Sequence, residues 1–418
     1  MSLAMLRDDT LRFQAESRSL QLSPRDPDFV QDPYRAYGFL HANAPVFFWR
    51  DYGLWCLAGF EDVNRLLRDK RFGRERPGGY SASVSASGYR AHLAGFDLVE
   101  AGSMLELEPP AHTRLRALVN RAFVSRQVER LRPEIEALAH GLVDGLESQG
   151  QADLIPAFAT PLPATVIARM MGLPDESGPQ LVAWSNDMVR MYMHRPTRAV
   201  EERADASAQA FAAFIRAEAS KRRARPGDDL LSVLVSAQAD GDRLTEDELV
   251  SSAILLLNAG HEATVHQIGN AVRAILMQGG DAGRFFATPE ATTATVEECL
   301  RWDAPLHMFT RYAYEPVELA PGVTLKPGEQ VGLLLAAANN DPRAFAEPCR
   351  FDSSRPDQKN LSFGAGIHFC IGAPLARLEL QVALQVLFER LPNLRMIEEP
   401  RYRDTYHFHG LERLTVEW

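Results

Sequence analysis

From Thr245 to the Gly279-Gly280 pair the chain reads as one helix with no strong breaker. Thr245-x-x-Glu248 has the form of a capping box, in which each side chain accepts a hydrogen bond from the other residue's backbone N–H. At 1.5 Å per residue such a helix is about 50 Å long, enough to cross a whole molecule. A chain that contains it must wrap around it, and the Ala259-Gly260 step in its middle is a local weak point. The neighbouring sequence is helical as well. Segments rich in Ala, Leu and Arg run from Pro110 to about Val235 with apolar spacing near 3.6, punctuated by Pro161, Pro163, Pro174, Pro196 and Pro226. A further helix over about Glu290 to Trp302 stops before Pro305. Pro374 to Leu391 closes the helical part, with Leu375, Leu378, Val382 and Val386 predicted as one apolar stripe.

β-structure is minor. The runs Ala44 to Arg50 and Gly53 to Phe60 predict a hairpin around Asp51-Tyr52-Gly53, and short strands follow around Gly322 and Pro327-Gly328. The fold class is mainly α with a small β-region. Residues 1–418 are expected as a single domain behind a polar leader of about 1–31. Residues Arg74 to Gly102, rich in Gly, Ser and Ala, are expected as a long loop able to act as a lid.

With 45 Lys+Arg against 55 Asp+Glu the net charge is −10, which repels phosphate backbones and disfavours nucleic acid as a partner. No apolar run approaches the ~18 residues that span a bilayer, and the N-terminus mixes acids and bases without an apolar core. A cytoplasmic, monomeric protein without a membrane span is expected. The four cysteines, Cys56, Cys299, Cys349 and Cys370, form no C-x-x-C pair, which disfavours a disulfide framework and a zinc-finger site.

Cys370 stands apart from the other three. It lies in Phe363-Gly364-Ala365-Gly366-Ile367-His368-Phe369-Cys370-Ile371-Gly372, a glycine-rich loop delivering a thiol to the start of the last long helix. Glycines let backbone approach a flat partner closely, a helix N-terminus favours negative charge, and Phe369 and Ile371 shield the sulfur. Those conditions suit a thiolate that ligates a metal. This string, F-G-x-G-x-H-x-C-x-G, resembles the haem-ligand loop of the cytochromes P450, with Cys370 in the place of the iron's axial ligand.

The resemblance runs from about Asp32 to Trp418 and extends to further motifs in the same order. Glu298-x-x-Arg301 with Arg355 resembles the family's structural triad. Ala259-Gly260-His261-Glu262-Ala263-Thr264 resembles its oxygen-facing helix segment, with Glu262 as the acid. That motif implies small residues that make room for dioxygen and a local widening of the helix. The departure is Ala263, where the family has an alcohol. Thr264 is one residue further on and rotated by about 100°, so it does not simply substitute. His112 and Arg116, four residues apart, together with Arg311 and His368, resemble the clamp on the haem propionates; Phe363 and Gly372 complete the cofactor loop.

The resemblance implies the prism-shaped cytochrome P450 fold, with haem b between the long helix and the Cys370 loop. It also implies reductive activation of O2 to hydroxylate or epoxidise an organic substrate. Residues 392–418 leave no room for a flavin or nicotinamide domain, so electrons are expected from an external ferredoxin and ferredoxin reductase with NAD(P)H. Arg114, Arg121, Arg126 and Arg377 are candidates for the docking patch. By position the substrate wall draws on Ser81 to Tyr89, Met188 to Met193, Leu255, Asn258, Ala259, Leu306 to Phe309 including His307, and His407 to Phe408. Its Met, Phe and Leu content predicts a small hydrophobic or amphipathic substrate. Ala263 leaves two alternatives open: a peroxide-using or otherwise atypical haem-thiolate enzyme, and a non-enzymatic haem ligand-binding protein.

Overall fold

The computed structural model describes residues 11–78, 90–120, 123–236 and 244–418, with backbone alone for strands at 238–239 and 242–243. The predicted long helix spans Glu246–Leu276, 31 residues, or about 46 Å. Both halves of its capping box form: the Glu248 N–H donates to Thr245 Oγ1 (3.2 Å) and the Thr245 N–H to Glu248 Oε2 (2.9 Å). Glu246, Asp247 and Glu248 place negative charge on its first turn, where the helix dipole favours it. Beyond that turn the helix is buried through most of its length, packed against Pro161–Met170, Gly178–Val189, Arg198–Ala224 and Ala373–Arg390. A β-carbon on Gly260 would lie 2.7 Å from Ile167 Cγ1, so glycine there permits the close approach of helix Pro161–Met170. The helix stays α-helical through this step, without the widening that the resemblance implied.

The last long helix, Ala373–Arg390, departs from the single-stripe expectation. Leu375, Leu380, Ala383, Leu384, Leu387 and Phe388 are all buried, so the helix is enclosed on most sides rather than lying on the surface. The C-terminal part of the expected lid is also helical: Ala94–Ala101 buries Phe96 and Val99 against the main core, and residues 79–89 lie outside the described set. The leader expectation needs a similar correction. Strands Arg12–Gln14 and Ser19–Gln21 and helix Pro27–Gln31 build part of it into the fold, burying Leu20, Leu22, Phe29 and Val30.

The predicted hairpin forms from Val46–Trp49 and Leu54–Leu57, with Gly53 at φ +70°. It sits inside a seven-stranded sheet whose order is Arg12–Gln14, Ser19–Gln21, Val46–Trp49, Leu54–Leu57, Gln330–Leu334, Met308–Ala313 and Phe72–Gly73. The stretch before the Cys370 loop is irregular and is held by the triad. Glu298 takes two hydrogen bonds from Arg301 (both 2.7 Å) and one from Arg355 (3.2 Å). Arg301 also donates to the carbonyls of Asn339, Pro348 and Arg350, so a buried ion pair fixes loop backbone that has no ladder of its own. No described helix is long and apolar enough to cross a membrane.

Candidate active site

The Cys370 loop is shaped by backbone that only glycine adopts readily. Gly364 and Gly366 have φ of +69° and +72°, and a β-carbon on Gly366 would lie 2.2 Å from the Leu67 carbonyl oxygen. The Cys370 N–H donates to Phe363 O (2.9 Å), which turns the thiol toward a cavity of about 520 Å³. Phe363 and Gly372 line the same cavity, and the Arg377 guanidinium lies 4.6 Å over the Phe363 ring. Cys370 is exposed to this cavity rather than shielded by Phe369, itself 39% exposed; desolvation by the surrounding protein pushes its thiol up, against the opposing pull of the Gly372 N–H and the charges of Arg116 and Arg377.

Basic groups gather along one edge of this cavity. His112 and Arg116, from helix Ala111–Asn120, line it beside His368, and the two histidine rings are 4.4 Å apart. His112 has no hydrogen-bond partner at either ring nitrogen; burial, then His368 and Arg116, push it down to about 4. His368 is held by Glu108 (2.9 Å), and Arg116 donates to Phe369 O (2.6 Å). Arg311 does not reach the lining. It is buried just behind, donating to Thr310 O, and burial and the repulsion of Arg74 push it down to about 9. Arg74 lines the cavity, pairs with Glu106 and keeps a buried Nε without a partner. Sequence reasoning missed it, because it lies in a segment read as lid.

The long helix forms the opposing wall with Leu255, Asn258, Ala259, Glu262, Ala263 and Thr264. Glu262 is not free. His266, one turn on, lies 3.2 Å from it and His261 4.0 Å. Burial would raise this carboxyl, but the His266 hydrogen bond and the charges of His266, His261 and Arg403 hold it at about 2. The i,i+4 spacing of Glu262 and His266 was the signal that could have found this pair. Glu379, also missed, is an enclosed carboxyl on helix Ala373–Arg390 with neither oxygen partnered, and burial pushes it well above the usual range.

On the distal side Met188, Tyr192, Leu306, Met308, Phe309, His407 and Phe408 line the cavity. Asn258 donates weakly to Met188 Sδ (3.7 Å) and leaves its buried Oδ1 without a partner. A polar corner adds Glu100, pushed up to about 8 by burial and by Glu106, with Tyr192 donating to it at 3.3 Å. His307, expected on this wall, is not there. Residues 305–307 run antiparallel to 407–409, and Leu306 and Phe408 reach the cavity while His307 is enclosed behind it, hydrogen-bonded to Tyr37 (2.7 Å). Residues Ser81 to Tyr89 lie outside the described set. Of the arginines expected to form a docking patch, Arg114 pairs with Glu248 and Arg377 with Glu297; Arg126 is exposed and Arg121 lies outside the described set.

The family model described as Cytochrome P450 matches residues 290–408. Cytochrome P450 107B1 of Saccharopolyspora erythraea is 38% identical over 397 residues, covering 94% of this chain and 96% of that one. The 6-deoxyerythronolide B hydroxylase of the same organism is 37% identical over 395 residues, covering 93% and 96%. The crystal structure of P450BioI in complex with hexadec-9Z-enoic acid ligated acyl carrier protein superposes with a TM-score of 0.87 at 34% identity, covering 94% of this chain and 99% of that one. With a thiol loop facing a long central helix across one cavity and full-length likeness to these proteins, the chain belongs to the cytochrome P450 family of haem-thiolate monooxygenases, and it is an oxidoreductase with that family's haem-binding fold.

Proposed function

We propose that Cys370 is the axial thiolate of haem b and that the enzyme uses O2 to hydroxylate or epoxidise an apolar or amphipathic small molecule. The observation that carries this reading is the placement of the Cys370 thiol across one cavity from Ala259, Glu262 and Thr264. The donor set fits an iron porphyrin: a thiol at the base, and at one edge an unpartnered His112 beside Arg116, His368 and Arg74, with Arg311 buried just behind, a cationic edge suited to a dianion. Phe363 and Gly372 flank the sulfur. When bound, the thiolate-ligated group supplies reductive dioxygen activation and oxygen insertion into a C–H or C=C bond.

The protein's own groups do the rest. Glu262, kept charged by His266, accepts and passes protons beside the small side chain of Ala263, with Thr264 as the adjacent hydroxyl. Leu255, Ala259, Met308, Phe309 and Phe408 present an apolar wall that excludes water, and Asn258 offers one polar contact. The 6-deoxyerythronolide B hydroxylase among the relatives and the hexadec-9Z-enoic acid carried by acyl carrier protein in a similar structure support a substrate of that polarity. Electrons come from an external ferredoxin and its reductase with NAD(P)H, and the protein works as a cytoplasmic monomer folded as one domain. His307 is set aside as a substrate contact because it lies behind the wall.

The test is spectroscopic. The reduced, carbon-monoxide-treated protein is expected to show the red-displaced Soret band of thiolate ligation, and Cys370→Ala to lose it together with turnover. An unshifted band in the unaltered protein would overturn the proposal. A library screened for displacement of the haem spin state then identifies the substrate. Ala263 favours one second reading, a peroxide-using enzyme. Faster turnover with hydrogen peroxide than with ferredoxin and NAD(P)H would select it.

A further inference from the structure

Behind the cavity wall, Asp303, His307 and His409 converge with their ligand atoms all within 4.8 Å of one another. Sequence position places them there. Asp303 caps the C-terminus of helix Pro289–Trp302, and the antiparallel pairing of 305–307 with 407–409 brings the His307 and His409 rings to 4.3 Å. All three are enclosed, with side chains 0–2% exposed.

The unpartnered ring nitrogens favour a ligand. His307 Nδ1 faces Tyr37 Oη at 2.7 Å, and Tyr37 Oη shares a hydrogen bond with Tyr406 Oη (3.1 Å). With the ring proton at Nδ1, Nε2 presents a lone pair. That Nε2 has no partner, and neither has His409 Nε2, which lies 3.7 Å from Asp303 Oδ1. Tyr34 and Tyr402 donate to the two Asp303 oxygens (2.9 and 2.5 Å) and so orient the carboxylate, as outer partners orient ligands in metal sites. Arg273 donates to Tyr402 and is paired with Glu399 (2.6 Å).

We infer that Asp303, His307 and His409 bind one Zn²⁺, separate from the haem. Two imidazoles and one carboxylate are a donor set zinc accepts, with bonds of about 2.0–2.2 Å, so side-chain shifts of about 1 Å close the site. The ion would tie the end of helix Pro289–Trp302 to the turn that carries His407 and Phe408 into the cavity.

The test uses the full-length holoenzyme, free of any affinity tag and expressed with added zinc. Elemental analysis should find about one zinc per chain beside the haem iron, and anomalous diffraction at the zinc edge should place it between these three side chains. Asp303→Asn and His307→Gln should each lower zinc at least about tenfold while the carbon monoxide spectrum shows that the fold persists. Zinc below about 0.1 per chain in the unaltered holoenzyme, or an anomalous peak elsewhere, overturns the inference; an internal water would give the first result. Haem content is measured independently, so failure here is distinguishable from failure of the haem reading.

Discussion

Glu262 illustrates how a residue legible in sequence acquires its chemistry from its neighbours. Its place after Ala259-Gly260-His261 marked it as the acid, and it does line the cavity, yet it is held ionised by a histidine that the motif does not contain. Glu262→Gln should slow turnover about 100-fold, the low end of general acid–base contributions, while haem content stays unchanged. Steady-state rates normalised to the carbon monoxide spectrum check this, and undiminished turnover removes Glu262 from the proton path. Cys370 was legible because several unusual requirements coincide in ten residues. His307 was misplaced because its side of the wall is decided by packing against Tyr37 and His409, which lie far away in the chain.

At the scale of elements, the Cys370 loop depends on what glycine allows. Gly366→Ala combines positive φ with a β-carbon 2.2 Å from backbone, so it cannot be relieved by a rotamer change. A loss of about 1–3 kcal/mol and lowered haem retention are expected, read by thermal melting and the haem-to-protein absorbance ratio. Glu298→Gln leaves Arg301 buried with its charge uncompensated. Such changes cost about 3–5 kcal/mol, and they should appear as collapse of holoprotein yield rather than as a kinetic defect. The long helix was readable from its capping box and its freedom from breakers. Helix Ala94–Ala101 was not, because Gly95 and a Ser- and Gly-rich approach obscured the spacing of Leu93, Phe96 and Val99. Gly95 is in fact tied down from outside: its N–H, with that of Phe96, donates to Asp205 on helix Arg198–Ala224.

Over the whole molecule, histidines held neutral by burial, among them the half-buried His407 on the cavity wall, work against stability in acid. Burial, and then Arg74, push His407 from 6.5 down to about 4. Below pH 6.5 the unfolded chain therefore binds a proton that the folded chain refuses. The contribution of His407 is complete above pH 6.5 and is lost as pH falls to about 4, on the order of 3 kcal/mol. Calorimetric midpoints between pH 7 and 4 should decline less steeply in His407→Gln than in the unaltered protein; parallel curves would refute the assignment.

What the sequence determined by itself was local: the helix starts and stops, the hairpin, the thiol loop, and the order of the motifs along the chain. These follow from caps, glycine conformations and short-range periodicity, which each segment carries within itself. The tertiary structure alone decided which distant groups share one enclosure. Arg74 and Glu100 join the cavity, Glu379 is left without a partner, and Asp303, His307 and His409 meet behind the wall. Burial and charge pairing depend on segments hundreds of residues apart, and no local pattern encodes which of them will exclude water together.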